Sequence, residues 1–582
     1  MSVNFIHLFN DFDFNLLLHK HLYMKFKKIN TLLFLSLAVL VSSCTKNTLV
    51  QNPGSSGNTL KGSNFNGSMA GDVVGKVTVG YQGWFAAPGD GSPINAWWHW
   101  ARDWSKTPSI SDTSVIKSWP DVRDYTTTFA TNYPNLENGQ PAKLFSSFSP
   151  QTVNTQFQWM QQYGIDVAAL QRFNPTGGEG PVRDAMALKV KNAAETYGRK
   201  FYIMYDVSGW TDMQSEIKTD WINKMLAYTS SPAYAKQNGK FVVCIWGFGF
   251  SDNNHPWSAD VCKEVIQWFK NQGCYVIGGV PTHWRLEEST GDSKPGFLDT
   301  YSTFDMLSPW MVGRIGNLGD VDNHYNNYLI PDKAYCDAHG IDYQPCVLPG
   351  DLQERQRRHG DFMWRQFYNL KRANIPSAYI SMFDEYNEGN QIAKTAETKS
   401  FVPANSKILA LDEDGVKCSA DYYLRLTNDG GKMLKGLIPV TANRPTEPII
   451  GGGTVVLPPI GQVITIKGSN NLYVSSENTL KPMNCNRPSA GGWEQFNVVN
   501  AGGSKIALQN LGKYVSSEGG NGVINCNRAA IGIWEQFDWI NNADGTVSFR
   551  SNLGNYISID QTTGVMTCTK PTAGANESFV IN

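Results

Sequence analysis

Eight short runs of apolar, β-branched and aromatic residues follow one another between residues 77 and 385, and this alternation constrains the fold more than any other feature of the chain. The runs are Val77–Phe85, Asp166–Phe173, Phe201–Gly209, Phe241–Gly249, Tyr275–Pro281, Phe304–Val312, Asp342–Gly350 and Ser377–Glu385. Most are separated by segments of helical period, namely Pro181–Gly198, Thr219–Ala235, Ala259–Gln272, Asn323–His339 and Phe362–Ala373. Strands that are apolar throughout and alternate with helices are covered on both faces, which marks a parallel sheet of an α/β protein. Eight such units predict that the sheet closes as a (β/α)8 TIM barrel. The alternative, an open doubly wound sheet, normally carries a Gly-rich phosphate turn after its first strand, and Gly80-Tyr81-Gln82-Gly83-Trp84 is not one. A chain of 582 residues is too long for one core of this kind, so a smaller second domain is expected after a barrel at residues 76–437.

In such barrels the chemistry sits at the C-terminal ends of the strands. The runs end in Trp84, Gln171 and Arg172, Tyr205 and Asp206, Trp246, His283 and Trp284, Trp310, Arg314, Asp384 and Glu385. Indole rings beside Asp, His, Arg and Glu suit a saccharide, whose rings offer C–H faces for stacking and hydroxyl groups for hydrogen bonds. Trp97-Trp98-His99-Trp100, in the long segment after the first run, reads either as a further stacking platform or as an aromatic anchor for that loop. The candidate substrate-binding residues are therefore Trp84, Trp98, His99, Arg172, Tyr205, Asp206, Trp246, His283, Trp310 and Asp384. The 18 tryptophans of the chain exceed what buried cores usually require, which agrees with this ligand class.

The eighth run continues as Phe383-Asp384-Glu385-Tyr386-Asn387-Glu388-Gly389. Cleavage of a glycosidic bond needs one carboxyl group to protonate the leaving oxygen and a second to work at the anomeric centre. Glu385 and Glu388 are the candidate catalytic pair, because a turn at Gly389 would bring both to one mouth. Their mutual repulsion raises at least one pKa, which suits a general acid. The competing reading makes Asp384 or Glu388 a helix cap or the partner of an arginine.

These motifs, together with Gly80-Tyr81-Gln82-Gly83-Trp84-Phe85, Met204-Tyr205-Asp206-Val207-Ser208-Gly209, Gly279-Val280-Pro281-Thr282-His283-Trp284 and Ser308-Pro309-Trp310, resemble bacterial glycoside hydrolase family 71/99-like proteins, some labelled xylosidase/arabinosidase. The resemblance spans residues 76–437. It extends more distantly to family 99 endo-α-mannosidases, whose catalytic segment reads Asn-Glu-Trp-x-Glu-Gly-Thr. It implies that Glu385 helps to deprotonate the sugar 2-hydroxyl, giving a 1,2-anhydro intermediate, while Glu388 acts as acid and then base. Asp384, Tyr386 and Asn390 stand where that family has Asn, Trp and Thr, so neither mannose specificity nor the anhydro route is carried over with them.

Residues 438–460 are rich in Pro and Gly and read as a linker. Beyond it the chain repeats: Tyr473, Tyr514 and Tyr556, Cys485, Cys526 and Cys568, and Phe496, Phe537 and Phe579 recur 41 and 42 residues apart. Trp493-Glu494-Gln495-Phe496 returns as Trp534-Glu535-Gln536-Phe537 and weakly as Asn576-Glu577-Ser578-Phe579. Three such units at residues 461–582 resemble a fascin-like or ricin-like all-β β-trefoil, with the repeated Tyr, Cys and Phe as core positions. Carbohydrate binding by this domain is an expectation by fold analogy.

The start of the chain concerns targeting. Lys25, Lys27 and Lys28, the apolar run Leu32 to Val41 and then Ser42-Ser43-Cys44 follow the order of a signal peptide, with Met24 as the expected start. Val41-Ser42-Ser43-Cys44 resembles a bacterial lipobox, so Cys44 is expected to be lipidated and residues 1–44 to form the signal region. A Ser/Asn/Gly-rich tether at residues 45–75 follows. The implied protein is exported, membrane-attached through lipid alone, and monomeric, with a polysaccharide or oligosaccharide as its partner. Its alternative is a surface glycan receptor whose barrel has no activity. A formal net charge of −1 gives no field for nucleic acid. No CxxC, HExxH or acidic calcium loop is present, so neither a metal site nor a cofactor is expected.

Overall fold

The computed structural model describes residues 67–582 apart from 112–114, 287–290, 449–457, 503–504, 521, 543–544 and 572. Cys44, the signal region and most of the expected tether lie outside the described residues, as does the central part of the linker.

Eight strands rise from the eight runs: β1 (Val77–Tyr81), β2 (Val167–Arg172), β3 (Lys200–Asp206), β4 (Lys240–Trp246), β5 (Cys274–Val280), β6 (Met306–Pro309), β7 (Asp342–Tyr343, continued by Cys346–Val347) and β8 (Ala378–Ile380). All pair in parallel, and β8 lies beside β1 with Val77 opposite Ala378. The two halves of β7 serve different neighbours, Asp342 pairing with Met306 of β6 and Cys346 with Tyr379 of β8. Pro345 stands between the halves, where it has no N–H to give to the ladder, and its carbonyl accepts the Tyr379 N–H at 3.0 Å. The sheet thus returns on itself as a barrel-like α/β domain.

A helix follows each strand: α1 (Pro150–Gln162), α2 (Gly180–Tyr197), α3 (Met213–Asp220), α4 (Ala259–Asn271), α5 (Leu298–Tyr301), α6 (Leu318–His324, continued after a π turn by Ile330–His339), α7 (Asp361–Arg372) and α8 (Tyr422–Leu434). Ser258 caps α4 by accepting the Val261 N–H, and α2 ends on Gly198 at φ +60°, the left-handed conformation that glycine adopts without steric cost. The expected helix Thr219–Ala235 is displaced. It begins at Met213, runs into irregular turns up to Ser230, and leaves Ala233 and Ala235 bonded to Phe201 of β3 instead. Pairing along the strand outweighs local helical preference there.

Two separate apolar cores result. One is built from β1–β8 and their helices, from Val73 to Leu434, and the other runs from Ile464 to Phe579. The second belongs to a separate antiparallel sheet of twelve strands, four to each sequence repeat. One register recurs three times, with Val474 opposite Cys485, Val515 opposite Cys526 and Ile557 opposite Cys568, each beside a bulge at the repeated tyrosine. The three thiols are fully buried, as the repeat implied, and all nine described cysteines are unbridged. Two stretches read as tether and linker are more ordered than their composition suggested. Val73 and Val74 are buried and donate to Gln237, and Thr446 is buried with its hydroxyl on Asp429 of α8.

Candidate active site

The chain leaves β8 at Ile380 and turns back over the barrel mouth, where Met382 N–H donates to Asn390 and Ile392 N–H returns to Met382. Inside this loop the Glu388 and Gly389 N–H groups both reach the Glu385 carbonyl, at 3.3 and 3.1 Å, and Gly389 adopts φ +76°. Buried Arg357 closes the far side, donating to the carbonyls of Gly389 and Gln391 at 2.8 Å each. Glu385 and Glu388 are therefore held on one tight turn that Arg357, from the loop after β7, locks in place.

Asp384 is fully buried, and its two oxygens accept the Gln82 and Gly83 N–H groups at 2.8 Å each. It ties the end of β1 to the loop after β8 and is not available to a substrate, which corrects its expected binding role. Burial raises its pKa to about 6, against the lowering effect of those two N–H donors.

Glu385 is 5% exposed. One oxygen accepts from Gln82 Nε2 at 3.2 Å and the other has no hydrogen-bond partner among the described residues. Burial, and next the charge of Glu388, push its pKa well above the ordinary carboxylate value. Glu388 sits on the same turn but reaches solvent. Its pKa is also raised, chiefly by desolvation within the mouth and further by Asp351, while Lys117 opposes both. Lys117 comes from the long loop after β1, bonds Asp351 at 3.3 Å, and donates its backbone N–H to the Tyr386 carbonyl. Nothing local in the sequence marks Lys117 or Asp351 as site residues, since they meet the glutamates only through the fold. Gln82 lay in a quoted motif without being singled out.

The other candidates divide into two groups. Arg172 and Tyr205 point away from the mouth, which corrects both. Arg172 forks onto both oxygens of Asp220 at 2.6 and 2.5 Å and reaches Asp184 at 2.7 Å, and the Tyr205 hydroxyl donates to Asp220 at 2.8 Å. Burial disfavours the Arg172 charge, yet the Asp220 and Asp184 bonds hold its pKa above the ordinary value. Side chains alternate across a strand, so Gln171 and Met204 face the barrel interior, near the Tyr379 hydroxyl, while Arg172 and Tyr205 face the helices. That parity is a signal the sequence did offer.

The remaining side chains form aromatic walls. Trp84 stacks on His99 at 3.9 Å and on Phe173 at 5.9 Å, and Trp98 packs against Trp104 at 3.8 Å. Trp97 and Trp100 are buried, so the Trp97-Trp98-His99-Trp100 run is half core and half surface. Burial lowers the pKa of His99 although Glu179 opposes it. Across the mouth, Trp246 meets Trp310 at 5.3 Å, edge to face, with His255 and Phe250 beside it. Asp206 accepts the Ser208 N–H and hydroxyl at 2.9 and 2.6 Å, and burial raises its pKa. His283 pairs with Asp292 at 3.0 Å, whereas Trp284 is buried with its N–H on Asp332. Buried polar atoms normally find partners. Gln82 Oε1, Trp84 Nε1, Trp246 Nε1, Glu385 Oε2 and Asn387 Oδ1, all at or beside strand ends, have none among the described residues.

No family model matches the chain, and no curated protein does. Among solved structures it is similar to the GH99 endo-alpha-mannosidase from Bacteroides thetaiotaomicron, at 14% identity over 62% of this chain and 98% of that one, with a TM-score of 0.44. The chain is also similar to the designed threefold-symmetric protein ThreeFoil, at 15% identity over 20% of this chain and 96% of that one (TM-score 0.19), and to SeviL bound to asialo-GM1 saccharide, at 8% identity over 21% and 97% (TM-score 0.19).

Proposed function

We propose that the barrel hydrolyses glycosidic bonds of a polysaccharide or oligosaccharide, with Glu385 and Glu388 as the catalytic pair. The observation that carries this reading is a buried carboxylate with one unpartnered oxygen, coupled through a single turn to a second, solvent-reaching carboxylate at the end of the eighth strand. A hydroxyl-rich ligand supplies what the mouth lacks, namely donors for Glu385 Oε2 and acceptors for the Trp84 and Trp246 N–H groups.

The geometry fits distinct roles. Glu388 reaches water and can recover a proton between turnovers, so it serves as acid toward the leaving oxygen and then as base toward water. Glu385 lies deeper, and its raised proton affinity makes it the stronger base once ionised. It works at the anomeric centre, either by taking a proton from the sugar 2-hydroxyl or as a direct nucleophile. Both routes are double displacements and retain configuration. We read the twelve-stranded domain as a β-trefoil with the linker before it. The Lys-rich, apolar and Ser-Ser-Cys order near the N-terminus supports export with lipid attachment at Cys44.

The test is a screen of the soluble chain from Thr48 on polysaccharides and aryl glycosides, with NMR of the first-formed product. Hydrolysis with retention is expected. Binding without turnover on every substrate would make the protein a glycan receptor, and inversion would remove the double displacement. Labelled fatty acid incorporated by the wild type and lost in Cys44→Ser tests the anchor.

A further inference from the structure

The C-terminal domain contains its own control for what its fold requires, because it holds one four-strand unit three times. Core positions agree in all three units. So do Glu494, Glu535 and Glu577, each accepting the N–H of the glycine three residues earlier at 2.8, 2.7 and 2.8 Å. Two other positions agree in only two units. Trp493 and Trp534 occupy equivalent places and are 41% and 43% exposed, whereas the third unit has Asn576, whose side-chain oxygen accepts from Gln561. Arg487 and Arg528 fork onto Glu477 and Glu518, at 2.8 and 3.0 Å and at 2.8 and 2.6 Å. The third unit has Lys570 and Asp560, and Asp560 is occupied with the Thr562 and Thr563 N–H groups.

The fold therefore does without the tryptophan and the Arg–Glu fork, and neither is explained by packing. The two features also meet in space. Ser476 and Ser517 donate their N–H to the Trp493 and Trp534 carbonyls at 2.9 and 2.8 Å, which ties each tryptophan's backbone to the turn that bears Glu477 or Glu518, and the Trp534 indole lies over Gly519 of that turn. The Arg487 and Arg528 Nε atoms also lie 3.8 Å from Glu494 and Glu535. Each place thus combines a large exposed apolar ring with polar atoms fixed by ion pairing. That combination matches a pyranose, which stacks through its C–H face and bonds through its hydroxyl edge. One arginine against two glutamates leaves an excess of negative charge, which disfavours phosphate, sulfate, uronate and nucleic acid.

We propose that Trp493 and Trp534 are the stacking platforms of two equivalent sites for neutral pyranose units of a polysaccharide, and that the third unit has none. The domain is then bivalent, and two weak sites on one polymer reinforce each other. This inference stands apart from catalysis, because no barrel residue takes part in it.

The test is affinity electrophoresis of the full chain through gels containing α-mannan, xylan, arabinan or β-glucan, compared with polymer-free gels. At least one polymer should retard the protein. Trp493→Ala and Trp534→Ala should each weaken that retardation about 10-fold or more as bivalency is lost, and the double variant should abolish it. Asn576→Ala should change nothing. Trp534→Phe keeps a ring face and should weaken binding less than Trp534→Ala, which separates loss of stacking from misfolding. Turnover of a small aryl glycoside should be unchanged in the double variant, which keeps this test separate from the catalytic reading. Retardation by none of the polymers, or retardation that survives the double variant, overturns the proposal. So does a molar mass in polymer-free light scattering that falls in the double variant, since the indoles would then hold a second copy of the chain.

Discussion

Two strand ends of the barrel carry clustered ionisable groups and treat them in opposite ways. At the ends of β2 and β3, Arg172, Tyr205, Asp220 and Asp184 are bonded to one another, with Arg172 and Asp220 almost fully sealed from water. At the end of β8, Glu385 is buried equally well but keeps one oxygen without a partner, and Glu388 beside it reaches solvent. At the first place a buried cation is paired with carboxylates, and only Arg172 Nη1 lacks a partner among the described residues. At the second a buried carboxylate meets a like charge, which raises its proton affinity. The contrast turns on the sign of the neighbouring charge: Arg172 is salt-bridged to Asp220, whereas Glu385 lies beside Glu388.

The sharpest way to break the comparison is to neutralise one group at each place. At the carboxylate end, Glu388→Gln should lower kcat on natural substrates by roughly 10²–10⁴-fold, with a smaller loss on aryl glycosides whose leaving groups need little protonation. Glu385→Gln should be poor on both substrate classes. Near-normal turnover in both variants would return the pair to a structural role.

At the ion-paired end the cost should fall on stability. Arg172→Met leaves Asp220 buried without its cation and should destabilise the fold by about 3–5 kcal/mol in denaturant titration. The folded fraction should keep a near-normal KM, and a specific rise in KM would mean that Arg172 reaches the substrate after all.

A smaller effect separates the electrostatics of the carboxylate end. Catalysis requires one proton on the pair, and the surroundings raise both carboxyl groups above the ordinary glutamate range, so the acid limb of kcat/KM should lie above that range. Lys117 favours the ionised forms of both glutamates. Lys117→Met should therefore raise their pKa values and move the limb to higher pH, while Lys117→Arg should leave it near its original place. An unmoved limb, or one shifted to lower pH, would remove Lys117 from the site.

The smallest effect concerns the walls. Trp98 and Trp104 lie in contact in the loop after β1, and Trp98→Ala removes a stacking surface without exposing a charge. KM should rise by roughly 2–12-fold, as expected for a single aromatic contact of about 0.5–1.5 kcal/mol, with kcat little changed. A drop in kcat alone would point to loop collapse instead.

The sequence by itself determined the strand order of the barrel and where its carboxylate pair would stand. Alternation of apolar runs with helical segments is a local property, set by which faces must be buried, and it located all eight strands to within a few residues. The threefold repeat likewise announced its buried Cys and Phe positions, because each unit solves the same packing problem, whereas the repeated Tyr473, Tyr514 and Tyr556, expected in the core as well, are only half-buried beside it. Glu385 and Glu388 were legible as neighbours on one turn. Which side chains are sealed and which remain open was decided only in three dimensions. The Asp384 oxygens are taken by N–H groups some three hundred residues away in the chain, and Lys117 and Asp351 reach Glu388 from two further loops. Pairing and proton affinity depend on the atoms within a few ångströms of a group, and in a barrel closed by its first and last strands those atoms come from opposite ends of the domain.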